Sequence, residues 1–290
     1  MDSLPEWLFD FPSSFYFDIK KPIDSAIEYM LRNWSPFFDA ISSALRVLLS
    51  AVGTVVNLIP WWMLILAVFA ATYITSKKLS RAILYSAALL FIGAIGLWDM
   101  MYETLTIIIT SVIISLLIGL PTGIIVSSSK RINSVIRPIL DTMQTMPSFV
   151  YLIPAVMLLG LGNVPAVIAT TIYAVPPVIR LTSHGIQQVD AEVVEAAKAF
   201  GSTKMQTLFK VQIPQALPTI MTGVNQTIMM AIAMVVTCSM IGATGLGSEV
   251  LKGINRLESG RGFAAGIAIV IVAIILDRLT QGIFKKEDAR

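Results

Sequence analysis

"EAAKAFGSTKMQTLFKVQIPQALP", Glu195–Pro218, is the longest polar interruption in the apolar second half of this chain. Its reading decides what the surrounding apolar runs are for. Asp190, just upstream, is a residue type that caps helices, and Glu192 and Glu195 follow where negative charge favours a helix N-terminus. Val193, Val194, Ala197 and Phe200 occupy a limited arc. Gly201 stands where a helix ends in a left-handed residue, and Ser202 is read as the cap of a second helix carrying Met205, Leu208 and Phe209. Pro214 is expected to stop that helix. The stretch therefore reads as two short amphipathic helices joined by a tight bend. Apolar Phe200, Met205 and Phe209 on a polar segment mark either a connector lying on lipid or a surface that a partner covers.

What flanks the loop is membrane-like. Of 290 residues, 56% are hydrophobic and 13% charged, and mean hydropathy is strongly positive, which excludes a soluble domain of ordinary makeup. The net charge of +3 is small and dispersed, which argues against a nucleic-acid partner. Runs of about 20 apolar residues cross a bilayer as helices, because backbone groups in lipid must be satisfied within the segment. Seven are expected, over Pro60–Thr75, Ala82–Trp98, Leu105–Ser127, Met143–Leu161, Val164–Leu181, Thr219–Ala243 and Phe263–Leu279. The fold class is all-α, a polytopic membrane protein of about seven transmembrane helices preceded by an interfacial amphipathic helix.

Alternate loops agree on orientation. One side carries 14 basic and 7 acidic residues, the other 7 basic and 11 acidic, and cytoplasmic loops hold the basic excess. This predicts the N-terminus outside, the C-terminus in the cytoplasm, and the Glu195 loop in the cytoplasm. The acidic start "MDSLPEWLFDFPSS" lacks the basic and apolar parts of a cleavable signal, so the first span is expected to do the targeting. Ser35–Pro60 spaces Phe37, Phe38, Ile41, Leu45, Leu48, Leu49, Val52 and Val56 along one helical face. It is read as interfacial; the competing reading, an eighth span, would bury Arg46 near the bilayer centre at a cost of a few kcal/mol. Trp61, Trp62 and Trp98 sit at span ends as interfacial belt residues. The expected organisation is 1–59 as the N-terminal extracytoplasmic and interfacial region, 60–98 as two accessory spans, 99–285 as the transmembrane core with the loop 190–214, and 286–290 as a cytoplasmic tail.

Glu195, Ala196, Ala197, Gly201 and Pro214, with Val211 and Ile213 in the two aliphatic positions, resemble the EAA loop of the membrane subunits of binding-protein-dependent ABC importers. Val211 and Ile213 replace the usual Ile and Leu, a conservative departure. Further stretches, "LDTMQTMPSFVYLIPAV" (Leu140–Val156), "AVPPVIR" (Ala174–Arg180), "GATGLGSEV" (Gly242–Val250) and "GIAIVIVAIILDRLTQ" (Gly266–Gln281), look like the compatible-solute branch, whose members are permeases for glycine betaine, proline betaine, carnitine or choline. The similarity spans Trp98–Ile283, and the N-terminal part more loosely. It implies a non-catalytic membrane subunit, with ATP and Mg on a separate ABC ATPase that seats on the loop. There Glu195 would offer a carboxylate, Ala196 and Ala197 would allow close approach, Gly201 would set the bend, and Phe200, Ser202, Met205 and Pro214 would complete the coupling surface. It also implies an extracytoplasmic solute-binding protein, a second copy of the chain completing a homodimer, and a place in the bacterial cytoplasmic (inner) membrane.

The residues fit a subunit without chemistry of its own. There is no phosphate-binding G-x-x-x-x-G-K-[ST] motif, "GSTK" at Gly201 having the wrong spacing. No metal-ligand or nucleophile–base pattern is present; His184 is the single histidine and Cys238 the single cysteine, the latter read as packing. Pro147, Pro154, Pro176 and Pro177 fall inside apolar runs, where each removes a backbone hydrogen bond. Static kinks are the simple reading of each; Pro147 and above all the Pro176–Pro177 pair are the hinge candidates. For a quaternary ammonium solute, aromatic faces supply about 0.5–2 kcal/mol per cation–π contact. Phe149, Tyr151 and Tyr173 are candidates for the solute path, with Met143, Met146, Met229 and Met230 beside them, although each alone reads as core or lipid-facing. The outer segment Gly242–Gly262 reads as a flexible connector whose Glu249, Lys252, Arg256, Glu258 and Arg261 are available to a docking binding protein. The alternatives are an ABC permease for choline, carnitine or an amino acid, and an ion-coupled secondary transporter, which would show internal repeats and intramembrane ion pairs.

Overall fold

The computed structural model describes residues 16–287. The acidic opening stretch and the last three residues, 288–290, with which the tail ends, lie outside the described residues. Those described form helices and no strand, as the need to satisfy backbone groups within lipid demands.

Helix α1 (Lys20–Asn57) begins well before Ser35 and runs straight through Pro36. It buries Phe38, Leu45 and Val56 and leaves Arg46 exposed. By length and hydropathy it is one of five helices able to cross a membrane. Helices α2 (Trp61–Ser76) and α3 (Leu79–Ala94) are 16 residues each, about 24 Å of helix against a hydrocarbon core of about 30 Å. Both are apolar but shorter than the five. Trp61 and Trp62 at the start of α2 are exposed, and Tyr102 ties the α1–α2 connection down by donating to the Ile59 carbonyl at 2.7 Å.

The core is built from α4 (Trp98–Ser128), α7 (Asn163–Gln187) and α10 (Ile213–Ser239), whose mutual contacts dominate the molecule. Lipid offers no hydrophobic drive between helices, so close backbone approach and interhelical hydrogen bonds must hold them. Both are present. A Cβ on Gly123 of α4 would lie 2.6 Å from Cβ of Thr182 and 2.9 Å from the Ile179 carbonyl of α7. Thr227 of α10 donates to the Ala174 carbonyl of α7 at 2.9 Å in a fully buried setting. Around this core, α12 (Ser259–Glu287) packs on α10 and α2.

Three expectations need correction. The run Met143–Leu161 is not a rod. Helix α5 (Lys130–Thr145) ends at the Met146–Pro147 extended pair, a 3₁₀ turn (Ser148–Tyr151) follows, and α6 (Leu152–Leu159) leaves at 108° to α5. Pro147 therefore sits in the break and not inside a helix, because the residue before a proline is pushed out of the helical region. Pro176 and Pro177, by contrast, lie buried within the continuous helix α7. Third, Gly242–Gly262 is no flexible connector: it folds as α11 (Leu246–Asn255) and a tight turn into α12.

Candidate functional site

The Glu195 loop is organised by short-range chemistry. The Asp190 side chain accepts from the Glu192 N–H at 2.9 Å and starts α8 (Ala191–Ala199). The helix ends in a Schellman arrangement: Gly201 N–H donates to the Lys198 carbonyl at 2.9 Å and Ser202 N–H to the Ala197 carbonyl at 3.1 Å. That pattern needs a left-handed residue at Gly201, whose φ is +84°. The following cap is Thr203 and not Ser202. Thr203 Oγ1 accepts from Gln206 N–H at 3.3 Å, while Gln206 Oε1 accepts from Thr203 N–H at 2.9 Å, a reciprocal capping box. Ser202 instead closes the end of α8.

Pro214 does not stop the second helix. The single turn α9 (Lys204–Thr207) passes through a π turn (Leu208–Gln212) straight into α10, with Pro214 just past the junction. A π turn shifts the hydrogen-bond register, which absorbs the missing proline N–H. From Lys204 onward the loop and α10 thus form one continuous 36-residue helical stretch, Lys204–Ser239.

The loop's surface is open. No residue of α8 is buried. Phe200 is 92% exposed, Met205 62% and Phe209 54%, and Glu195, Ala196 and Pro214 are exposed as well. Glu195 and Lys198 border a cavity of about 660 Å³ between the loop and the ends of α4 and α7, which Ser127, Ile186, Val194 and Leu208 also line. The Glu195 carboxylate therefore stands at the edge between the loop and the bundle.

The solute-path candidates are only partly brought together. Tyr151 is buried, donates to the Met143 carbonyl, and meets Tyr173 edge to face at 6.0 Å between ring centroids. Met146 packs in the same cluster. Met143 belongs to a neighbouring cluster with Val126 and Val178, and Met230 to another with Ile108 and Ala231. Phe149 and Met229 are exposed.

At the opposite end, Gly242–Gly262 gathers most of its charges around one buried carboxylate. Glu249 is buried and accepts from Lys252 Nζ at 2.8 Å and from Arg261 Nε at 2.6 Å; Arg261 also reaches Glu258 at 3.2 Å. The hydrogen bonds from Arg261 and then Lys252 hold the Glu249 carboxyl below the usual carboxylate range. The segment's backbone is clamped too. Leu246 N–H donates to Thr104 Oγ1 at 2.8 Å, and Thr244 N–H to Asn163 Oδ1 at 2.9 Å. Of the five charges proposed for docking, Arg256 alone has no side-chain ion pair among the described residues.

Two polar contacts escaped the sequence reading. Asp277 of α12 accepts from Asn225 of α10 at 2.9 Å and from Gln281 at 2.6 Å, and Arg180 of α7 pairs with Asp141 of α5. The signal for the first was an amide, Asn225, inside an apolar run, since such groups in a span find partners.

A bundle of membrane-length helices, one of which runs on into an open, capped helix pair at one end, defines an all-α polytopic membrane protein. Residues 115–287 match the family of binding-protein-dependent transport system inner membrane components. The chain is 46% identical over 268 residues to the glycine betaine transport system permease protein OpuAB of Bacillus subtilis, covering 92% of this chain and 95% of the relative. It is 49% identical over 259 residues to the glycine betaine/carnitine transport permease protein GbuB of Listeria monocytogenes, covering 88% and 92%. Among solved structures, the inward-facing MetNI methionine ABC transporter aligns with a TM-score of 0.60 at 20% identity over 66% of this chain and 95% of that one, a likeness of fold. The chain belongs to the binding-protein-dependent transport family, as an ABC importer permease of its betaine branch.

Proposed function

We propose that this chain forms the translocation pore of an ATP-driven importer for glycine betaine or a related quaternary ammonium osmolyte. It would work as a homodimer in the bacterial cytoplasmic membrane, with its N-terminus outside and C-terminus in the cytoplasm. ATP and Mg are held by a separate ATPase that docks on the Glu195 loop, and an extracytoplasmic binding protein delivers the solute. The observation that supports the reading is the loop's construction: large apolar side chains held outward on a capped helix pair whose second half, from Lys204, continues into α10. Energy released on the loop would then tilt a core helix. The substrate class rests on the relatives, which are glycine betaine permeases.

The pore is supported by α5. Arg137, Asp141, Thr142 and Thr145 are exposed on this half of a broken apolar pair, and polar groups facing lipid are costly. A water-filled path or the second copy is the setting that suits them. Movement would concentrate at Pro147, where the chain is already bent, more than at Pro176–Pro177. Tyr151 and Tyr173 are the aromatic pair best placed to meet a quaternary ammonium.

Reconstitution of the chain with its ATPase and binding protein tests the reading. Uptake of radiolabelled glycine betaine that requires ATP on the loop side is the expected result. Uptake driven by an ion gradient with no nucleotide would overturn it in favour of a secondary transporter.

A further inference from the structure

On α7, Arg180, Ser183, His184 and Gln187 follow at i, i+3, i+4 and i+7, which puts them on one helical face. On α5, Asn133 and Arg137 are one turn apart. These six residues meet around a cavity of about 320 Å³ between the two helices. The lining is rich in donors that the fold does not use. Arg137 has no side-chain hydrogen bond or ion pair among the described residues. The Arg180 guanidinium spends Nη2 on Asp141, while its Nε is buried without a partner. Gln187 makes a long 3.4 Å contact to Ser183. Two guanidinium groups against the single carboxylate of Asp141 leave one surplus positive charge at the cavity.

We propose that this cavity is an oxyanion site taking one singly charged carboxylate or phosphate group. Guanidinium forks match such groups in geometry as well as charge. A partly enclosed setting also strengthens the attraction relative to open water. Two sources carry that chemistry. The exposed polar face of α5 leads from the Pro147 break to Arg137, so the carboxylate of a transported zwitterion can reach the site. Basic cavities between spans also receive anionic lipid headgroups. The site rests on these side chains and not on the importer reading.

The test is equilibrium dialysis of labelled inorganic phosphate against the full chain purified in an uncharged detergent, with no ATPase or nucleotide present. Saturable binding is expected, weakened at least about tenfold by Arg137→Gln, the loss of one charged hydrogen-bonding partner, and restored only in part by Arg137→Lys, which returns the charge without the fork. Because Arg137 is exposed and unpaired, its replacement leaves the helix packing alone; Arg180→Lys, which keeps the pairing charge while losing the fork, should weaken binding as well. Displacement by glycine betaine assigns the site to the solute carboxylate, and displacement only by phosphatidylglycerol micelles assigns it to lipid. Absence of saturable binding to the unaltered chain, or binding indifferent to both arginine substitutions, overturns the proposal while leaving ATP-driven uptake untouched.

Discussion

Two of the charged interruptions between apolar helices, Asp190–Pro214 at one end and Gly242–Gly262 at the other, are built on opposite principles. The first uses its polar side chains on its own backbone, in caps, and leaves its large apolar residues in the open. The second pairs its charges with one another, locks its backbone onto α4 and α7, and buries Leu246 completely. A segment that satisfies only its backbone keeps its apolar side chains as open surface. A segment that satisfies its charges as well is part of the fold.

Substituting the two turn glycines is the hardest test of that contrast. Both have positive φ, +84° for Gly201 and +101° for Gly245. A Cβ on Gly245 would lie 2.4 Å from Thr104 Oγ1, whereas one on Gly201 meets nothing within 4 Å. Gly245→Val should cost more than about 3 kcal/mol from strain and overpacking together. Gly201→Val should cost about 1–2 kcal/mol from backbone strain alone. Denaturation of the two variants in detergent measures both, and equal losses would erase the distinction.

Function should rank the regions in the reverse order. Phe200→Ser removes an apolar group that touches nothing else, so stability should change by less than about 0.5 kcal/mol, while ATP-driven uptake falls at least about tenfold if a partner covers the side chain. Arg256→Glu at the outer turn should lower uptake more modestly and leave basal ATP hydrolysis by the solubilised assembly intact; loss of that hydrolysis would show that the outer turn acts through the fold and not through docking.

The smallest effect expected is one of pH. The Glu249 carboxyl is held below its ordinary value by Arg261 and Lys252. Its stabilising contribution is therefore complete above the unfolded value of about 4.3 and fades as pH drops through the lower folded value. Glu249→Gln should give a protein less stable at neutral pH whose stability falls less on acidification. A parallel fall in both proteins would remove Glu249 from the account.

What could be read from the sequence follows the same divide. Asp190 and Gly201 were legible because a cap and a left-handed helix end are decided within four or five residues. Ser202 was taken for the cap in place of Thr203, although the T-x-x-Q pairing of Thr203 with Gln206 was there to be read. Pro214 misled because a proline's missing donor was treated as a stop, and a π turn upstream makes room for it. The fourth apolar run likewise gave no sign of its break beyond Pro147 itself. The outer segment was misread for a different reason: Glu249 and Arg261 are twelve residues apart and meet only because α12 folds back along α11, a contact no local pattern announces. The solute path was least legible of all, since methionine and aromatic residues in an apolar run look the same whether they fill the core or line a passage.

The central claim is mechanical contact between the Glu195 loop and a nucleotide-hydrolysing neighbour. Cysteines placed at Ala196 and Ser202 provide the most direct measurement, and the native Cys238 is buried and adds no background. In the assembled transporter both should cross-link to the ATPase, with yields that change when nucleotide binds. If neither position couples to any partner in an assembly that still transports, the loop is a bystander and the account is wrong.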